Sequence, residues 1–211
     1  MRVDPGADYF RWYYDTAVWK RVAYRGVRTL KSVSDMWNYQ EIITERGIQW
    51  VLETGTRHGG SALFFADLLT AGNAEGFVIS IDVSDRDNWV RTHPRVRFLV
   101  ADSAAPATVA EVTRLLAARR APMFVILDSD HVKAHVLREL AAWLPVMRRG
   151  DYLVVEDTCI NGHPVRPHFG PGPFEAVEEF LKANPGALVP DPERERKFGF
   201  TCAPNGFFVR A

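Results

Sequence analysis

The chain predicts an α/β fold with a mostly parallel sheet that ends in a C-terminal antiparallel hairpin, and three observations carry that expectation. Apolar runs of strand length alternate with helical stretches. Several of the runs are apolar at consecutive rather than alternate positions, and an Asn-Gly pair separates the last two. Regular alternation of strand and helix argues for βα units. A continuous apolar run bounded by polar residues is the mark of a strand buried on both faces of a parallel sheet.

Taken in order, residues 1–33 form an N-terminal segment dense in aromatic side chains, among them Tyr9, Phe10, Trp12, Tyr13, Tyr14, Trp19 and Tyr24. A helix packing its rings on the domain, a lid over a pocket and an oligomer contact are all readings of it. Residues 34–211 form the main domain. A helical pattern starts at Ser34-Asp35 and stops at Arg46-Gly47, where glycine is the expected residue after a helix. Strands are predicted at 50–54, 77–82, 96–101, 123–128 and 152–156, with helices at 61–69, 105–119, 132–143 and 174–183. The final hairpin is predicted to pair 198–203 with 207–210 around Pro204-Asn205-Gly206. A parallel sheet with such an end distinguishes the methyltransferase form of the doubly wound fold from the dehydrogenase form.

Composition bounds the function. The 211 residues suffice for one substantial core, and 47% hydrophobic with 25% charged residues is the globular average. Lys plus Arg equals Asp plus Glu at 26 each, which gives no electrostatic reason to expect nucleic acid or an acidic membrane. No stretch approaches about 18 apolar residues, and MRVDPGADYF lacks the apolar core of a signal peptide, so a soluble, cytoplasmic protein is expected. Cys159 and Cys202 fit no zinc spacing and read as reduced bystanders.

Two strand ends carry the chemistry. Residues 124–131 read FVILDSDH, and 152–158 repeat the design as YLVVEDT. Ligands of open α/β sheets bind outside the carboxyl ends of strands, so Asp128, Glu156 and Asp157 suggest a cation site. His131, beside them, is a candidate general base. Asp130 is open between a third ligand in place of Asp128 and a group that orients His131. The first strand runs into Glu53-Thr54-Gly55-Thr56-Arg57-His58-Gly59-Gly60-Ser61. This turn lacks both the G-x-G-x-x-G dinucleotide fingerprint and the Gly-Lys-Ser/Thr phosphate loop. An acidic residue there can instead meet an amino group, Asp82 stands where a carboxylate takes ribose hydroxyls, and Asp102-Ser103 could meet an adenine.

With these segments in place, the sequence resembles the cephalosporin hydroxylase and rhamnosyl O-methyltransferase family and, more distantly, the macrocin O-methyltransferases. The resemblance runs through KSVSDMWNYQEII, VLETGTRHGGSALFFA, VISIDV, LDSDHVKAHVLREL, GDYLVVEDT, GPFEAVEEFL and KFGFTCAPNGFFVR. It implies a Rossmann-like class I methyltransferase that uses S-adenosylmethionine and Mg2+ in natural-product tailoring such as antibiotic biosynthesis. It also implies metal ligands Asp128, Glu156 and Asp157 and base His131. The cofactor would lie along Glu53, Gly55, Thr56, Gly59, Ser61, Asp82, Asp102, Ser103 and Asp128. The acceptor would be a glycosylated or polyhydroxylated small molecule, and the protein a homo-oligomer. Two functions stay open: an O-methyltransferase, or a non-catalytic S-adenosylmethionine-binding subunit of a partner enzyme such as a hydroxylase.

Overall fold

The structure, a computed structural model, describes residues 5–211. An N-terminal helix α1 (Pro5–Asp15), a 3-10 turn (Val18–Arg21) and a two-residue ladder of β1 (Ala23–Tyr24) and β2 (Val27–Arg28) precede the domain. There follow α2 (Val33–Glu45), β3 (Trp50–Thr54), α3 (Gly60–Ala71), β4 (Val78–Asp82), β5 (Val96–Val100) and α4 (Pro106–Leu115). The chain continues with β6 (Met123–Leu127), α5 (Lys133–Trp143), β7 (Tyr152–Val155), α6 (Pro173–Ala183), β8 (Leu188–Pro190), α7 (Pro192–Arg196) and β9 (Phe207–Arg210).

Seven strands form one sheet in the order β5-β4-β3-β6-β7-β9-β8. β3, β4, β5, β6 and β7 run parallel, while β9 is antiparallel to both β7 and β8. The consecutive apolar residues follow from this arrangement, because both faces of the sheet are covered. Leu52, Val125, Leu127 and Leu153 point toward α4, α5 and α6, where Val112, Leu140, Trp143 and Phe180 close one core. Val51, Phe124, Ile126 and Val154 point the other way, onto Tyr39 and Ile42 of α2 and Phe65 and Leu69 of α3. Strand order reverses between β3 and β6, which opens a crevice at their carboxyl ends.

The antiparallel end differs from the sequence expectation in one strand. β9 pairs with 188–190, in the register Leu188↔Arg210, Val189↔Val209 and Pro190↔Phe208, and 198–203 is not a strand. Donors of that segment are used elsewhere: the Thr201 hydroxyl and the Cys202 amide both donate to the buried Asp35 carboxylate, at 2.5 and 2.8 Å. The Asn-Gly signal still marks a turn, closed by Gly206 N donating to Ala203 O at 3.0 Å. In the aromatic segment, Phe10 and Tyr13 are buried against Phe200, whereas Tyr14 and Trp19 face the crevice.

The start of α6 is held by Glu175, whose Oε2 accepts from the Gly172 amide at 2.7 Å and whose Oε1 accepts from Asn161 at 2.8 Å and faces His163 at 2.9 Å. Partial burial opposes ionisation, but the Gly172 amide, His163 and Asn161 together bring the carboxyl down to about 2. A depressed carboxylate stabilises the fold above its ordinary value of 4.5 and ceases to do so as pH falls toward 2. Glu175→Ala should therefore cost about 1 kcal/mol near neutral pH, the usual worth of a helix cap. Denaturant unfolding of both proteins checks it, since the gap should close as pH falls below 4.5; a gap that is flat with pH would refute the assignment.

Candidate active site

The crevice is a cavity of about 530 Å³ at the carboxyl ends of β3, β4, β6 and β7. Four non-glycine residues with left-handed backbone line it: Leu30, Arg57, Asp157 and Arg166, at φ 58°, 44°, 54° and 48°. Each such residue costs on the order of 1–2 kcal/mol, and strain of this kind collects at ligand sites.

One end is built on the turn from β3 into α3. Gly55 has φ +87°, and a Cβ there would stand 2.0 Å from the carbonyl oxygen of Asp128. At Gly60 a Cβ would meet the Arg28 carbonyl at 2.2 Å. These glycines thus let neighbouring backbone cross close to the turn, a reason the sequence does not reveal. Of the residues expected to meet a cofactor, Gly55, Thr56, Asp82, Asp102, Ser103 and Asp128 line the cavity. Glu53, Gly59 and Ser61 lie behind it: all three are buried and none forms its wall. Glu53 Oε2 accepts from Ser80 at 2.8 Å, its Oε1 meets no donor at bonding geometry, and burial raises the carboxyl to about 7 against the pull of Lys31. Asp82 accepts from the Arg57 and Ser84 amides at 2.9 and 3.1 Å, which fixes its carboxylate at the rim.

Ser103 belongs to a network invisible in the sequence. The hydroxyls of Ser103 and Ser129 donate to the buried Glu139 at 2.5 and 2.8 Å, and His135 Nε2 lies 3.0 Å from Ser129. Glu139 raises the pKa of His135. Asp102 is paired with Arg138 at 2.7 Å, which lowers its pKa.

The other end holds the acidic cluster. Ligand atoms of Asp128, His131 and Asp157 all lie within 4.8 Å of one another. His131 Nε2 stands 3.4 Å from Asp128 Oδ1 and 3.2 Å from Asp157 Oδ2. Burial opposes the imidazolium, but Asp157 and Asp128 outweigh it and lift His131 to about 9. Burial, with Asp128 and Glu156 nearby, raises Asp157 to about 6 despite His131. Glu156 stands apart from the three: its Oε1 accepts from Lys31 Nζ at 2.9 Å and from the Tyr39 hydroxyl at 2.5 Å. Lys31 Nζ also bonds Asp128 Oδ2 at 2.6 Å. Asp130 accepts from the Val132 amide at 3.1 Å, in the turn that leads into α5. The carboxylate oxygens beside the cavity form a hard donor set that fits a divalent ion such as magnesium.

The geometry is that of a cavity with a polar, glycine-lined end and an acidic end with a histidine. A family model described as rhamnosyl O-methyltransferase/CmcI matches residues 16–211. The chain belongs to this family. A rhamnosyl O-methyltransferase of Mycobacterium tuberculosis is 46% identical over 205 residues, which cover 96% of this chain and 84% of that protein. Among solved structures, apo CmcI superposes with a TM-score of 0.70 at 20% identity, covering 91% of this chain and 77% of the other. CmcI with Mg and SAM gives 0.67 at 19% identity, again over 91% and 77%. Those structural likenesses show that this chain shares the fold of CmcI.

A pair of substitutions tests why the turn needs glycine. Gly150 has φ +89° with nothing within 4 Å of an added Cβ, so Gly150→Ala should cost only the left-handed penalty, about 1–2 kcal/mol. Gly55→Ala meets the Asp128 backbone and should cost clearly more. Equal losses in denaturant unfolding would sink the steric reading.

Proposed function

We propose that the protein methylates a hydroxyl of a sugar on a small-molecule natural product. In this reading S-adenosylmethionine lies along the glycine-lined end of the cavity, and magnesium is held by Asp128, Glu156 and Asp157. The chain is an S-adenosylmethionine-dependent O-methyltransferase. The observation that carries the finer reading is the convergence of Asp128, His131 and Asp157 on one wall of a cavity whose other end carries Gly55, Asp82 and Ser103. Relatives at 46% identity named rhamnosyl O-methyltransferase support a sugar acceptor, and the CmcI structure with Mg and SAM supports the two bound groups.

When bound, S-adenosylmethionine supplies the methyl group, and magnesium supplies a Lewis acid and a template for neighbouring hydroxyls. The chain's own residues do the rest. His131 Nε2 is aimed at the acidic wall and takes the acceptor's proton. Its basicity is set by Asp128 and Asp157, so it becomes free to accept a proton only when their charge is engaged elsewhere. Tyr14 and Trp19 wall the cavity with aromatic surface suited to the apolar face of a sugar, which supports a lid role for part of 1–33. Tyr9 and Trp12 expose large rings on α1, a surface suited to contact with another copy in a homo-oligomer. The free thiols of Cys159 and Cys202 suit the reducing cytoplasm.

Purified protein supplied with S-adenosylmethionine, magnesium and rhamnosylated acceptors should transfer methyl groups. EDTA should abolish turnover, Asp157→Ala should lower it at least about 100-fold, the scale seen for metal-site changes, and His131→Ala should lower it about 10²–10⁴-fold. Turnover that survives EDTA, or Asp157→Ala at full rate, would overturn the metal reading. Full activity in His131→Ala would remove the base.

A further inference from the structure

Lys31 is a residue to which the reading above gives no part, and it is the most deeply placed charge at the site. Its side chain is 2% exposed, yet its ammonium bonds Asp128 Oδ2 at 2.6 Å and Glu156 Oε1 at 2.9 Å. Tyr39 adds a second bond to the same Glu156 oxygen at 2.5 Å. The backbone fixes the lysine from both sides. Before it, Thr29 N donates to Val22 O at 3.0 Å and Leu30 is held at φ 58°. After it, the Ser32 hydroxyl accepts from Asp35 N at 3.0 Å and so starts α2. A side chain anchored this way cannot swing out to solvent.

The geometry points to Lys31 as a positioning residue: it is the resident counterion of the acidic cluster and shares Asp128 and Glu156 with the divalent cation. The inference rests on the magnesium reading. The ammonium engages Oδ2 of Asp128 and Oε1 of Glu156, so the other oxygen of each carboxylate is the one left for a cation, and Asp128 Oδ1 already faces the acidic wall. Two physical effects of the lysine oppose each other. It orients the two carboxylates, which favours cation binding. It also places a positive charge on the very groups that would hold a dication, which weakens binding in a pocket poor in water. Like-charge repulsion in a partly dry site is long-ranged and strong, whereas the loss of one orienting contact is buffered by Tyr39. The charge effect therefore wins, and the lysine keeps the cation exchangeable while letting the carboxylates coexist without it.

The test is magnesium chloride titrated calorimetrically into the full-length protein with S-adenosylhomocysteine present, alongside thermal unfolding in EDTA and in magnesium. Lys31→Met should bind magnesium at least about tenfold more tightly than wild type, or 1.4 kcal/mol. It should also show a larger gain in unfolding temperature from magnesium. Lys31→Arg, which keeps the charge, should behave as wild type. If Lys31→Met does not fold, Lys31→Gln carries the same expectation, because it keeps a hydrogen-bond donor but not the charge. A neutral variant that binds magnesium as wild type does, or more weakly, overturns the role of Lys31 and leaves the metal reading standing. Absence of magnesium binding in wild type and neutral variants alike overturns the metal reading itself.

Discussion

Three carboxylates share one pocket only when positive groups share it with them. β6 and β7 deliver Asp128, Glu156 and Asp157 to neighbouring points at the carboxyl edge of the sheet, where burial opposes ionisation of Asp128 and Asp157. Lys31 holds Asp128 and Glu156, and His131 faces Asp128 and Asp157, so each acid has a cationic partner. The opposite edge of the sheet shows what a closed version of the same problem looks like. There Arg119 and Asp151, each 2% exposed, meet in a two-bond fork at 2.7 and 2.8 Å, and the amides of Met123 and Arg148 complete the carboxylate. That pair is a structural bolt, closed by backbone amides. The acidic cluster, by contrast, opens onto about 530 Å³ of space.

Supplying those cations shapes the chain around the sheet. Lys31 comes from the strap before α2, and the strap must be tied down for its ammonium to stay inside. Asp35 is the knot: fully buried, it accepts from the Ser32 hydroxyl at 2.7 Å and from Thr201 and Cys202 on the C-terminal segment. Burial, with Glu156 adding to it, lifts the Asp35 carboxyl to about 7, against the pull of those donors. The same knot explains why 201–203 does not form a ladder with β9, and why β9 finds its outer partner in 188–190 instead. Packing of α1 on Phe200 continues from there, and it brings Tyr14 and Trp19 over the cavity.

The sheet was legible because its strands are buried on both faces, and a run such as MFVIL has no other comfortable home. The acidic strand ends were legible for the same reason, since polar residues directly after such runs must emerge at an edge. Lys31 was not legible. In TLKSVSD it looks like any solvated lysine before a helix cap, and only a contact across 97 residues gives it a role. Tyr39 hid among helix-face aromatics, its hydroxyl paired across 117 residues. Trp37, its neighbour in the sequence, is 57% exposed and does not reach the cavity. The glycine turn was legible as a turn, but not that its glycines make room for the backbones of Asp128 and Arg28. Glu53, expected to meet the cofactor, lies behind the cavity wall, where its Oε2 accepts from Ser80. Both details depend on long-range packing that no local pattern encodes.

Two basic side chains face the same carboxylates, and their environments decide which can move a proton. Lys31 is sealed, and although burial alone would lower its pKa, Asp128, Glu156 and Glu53 drive it well above the ordinary lysine value. To act as a base it would have to give up its proton against two short ion pairs, which neutral pH cannot bring about. His131 is 28% exposed, its contacts are longer at 3.2 and 3.4 Å, and its value of about 9 is within reach of modest changes in the charge around it. A cation held by Asp128, Glu156 and Asp157 would offset the charge that raises His131, while Lys31 would stay bonded to Asp128 Oδ2 and Glu156 Oε1. The fixed charge and the labile proton are therefore assigned to different residues by depth alone, with lysine at the floor of the site and histidine at its mouth.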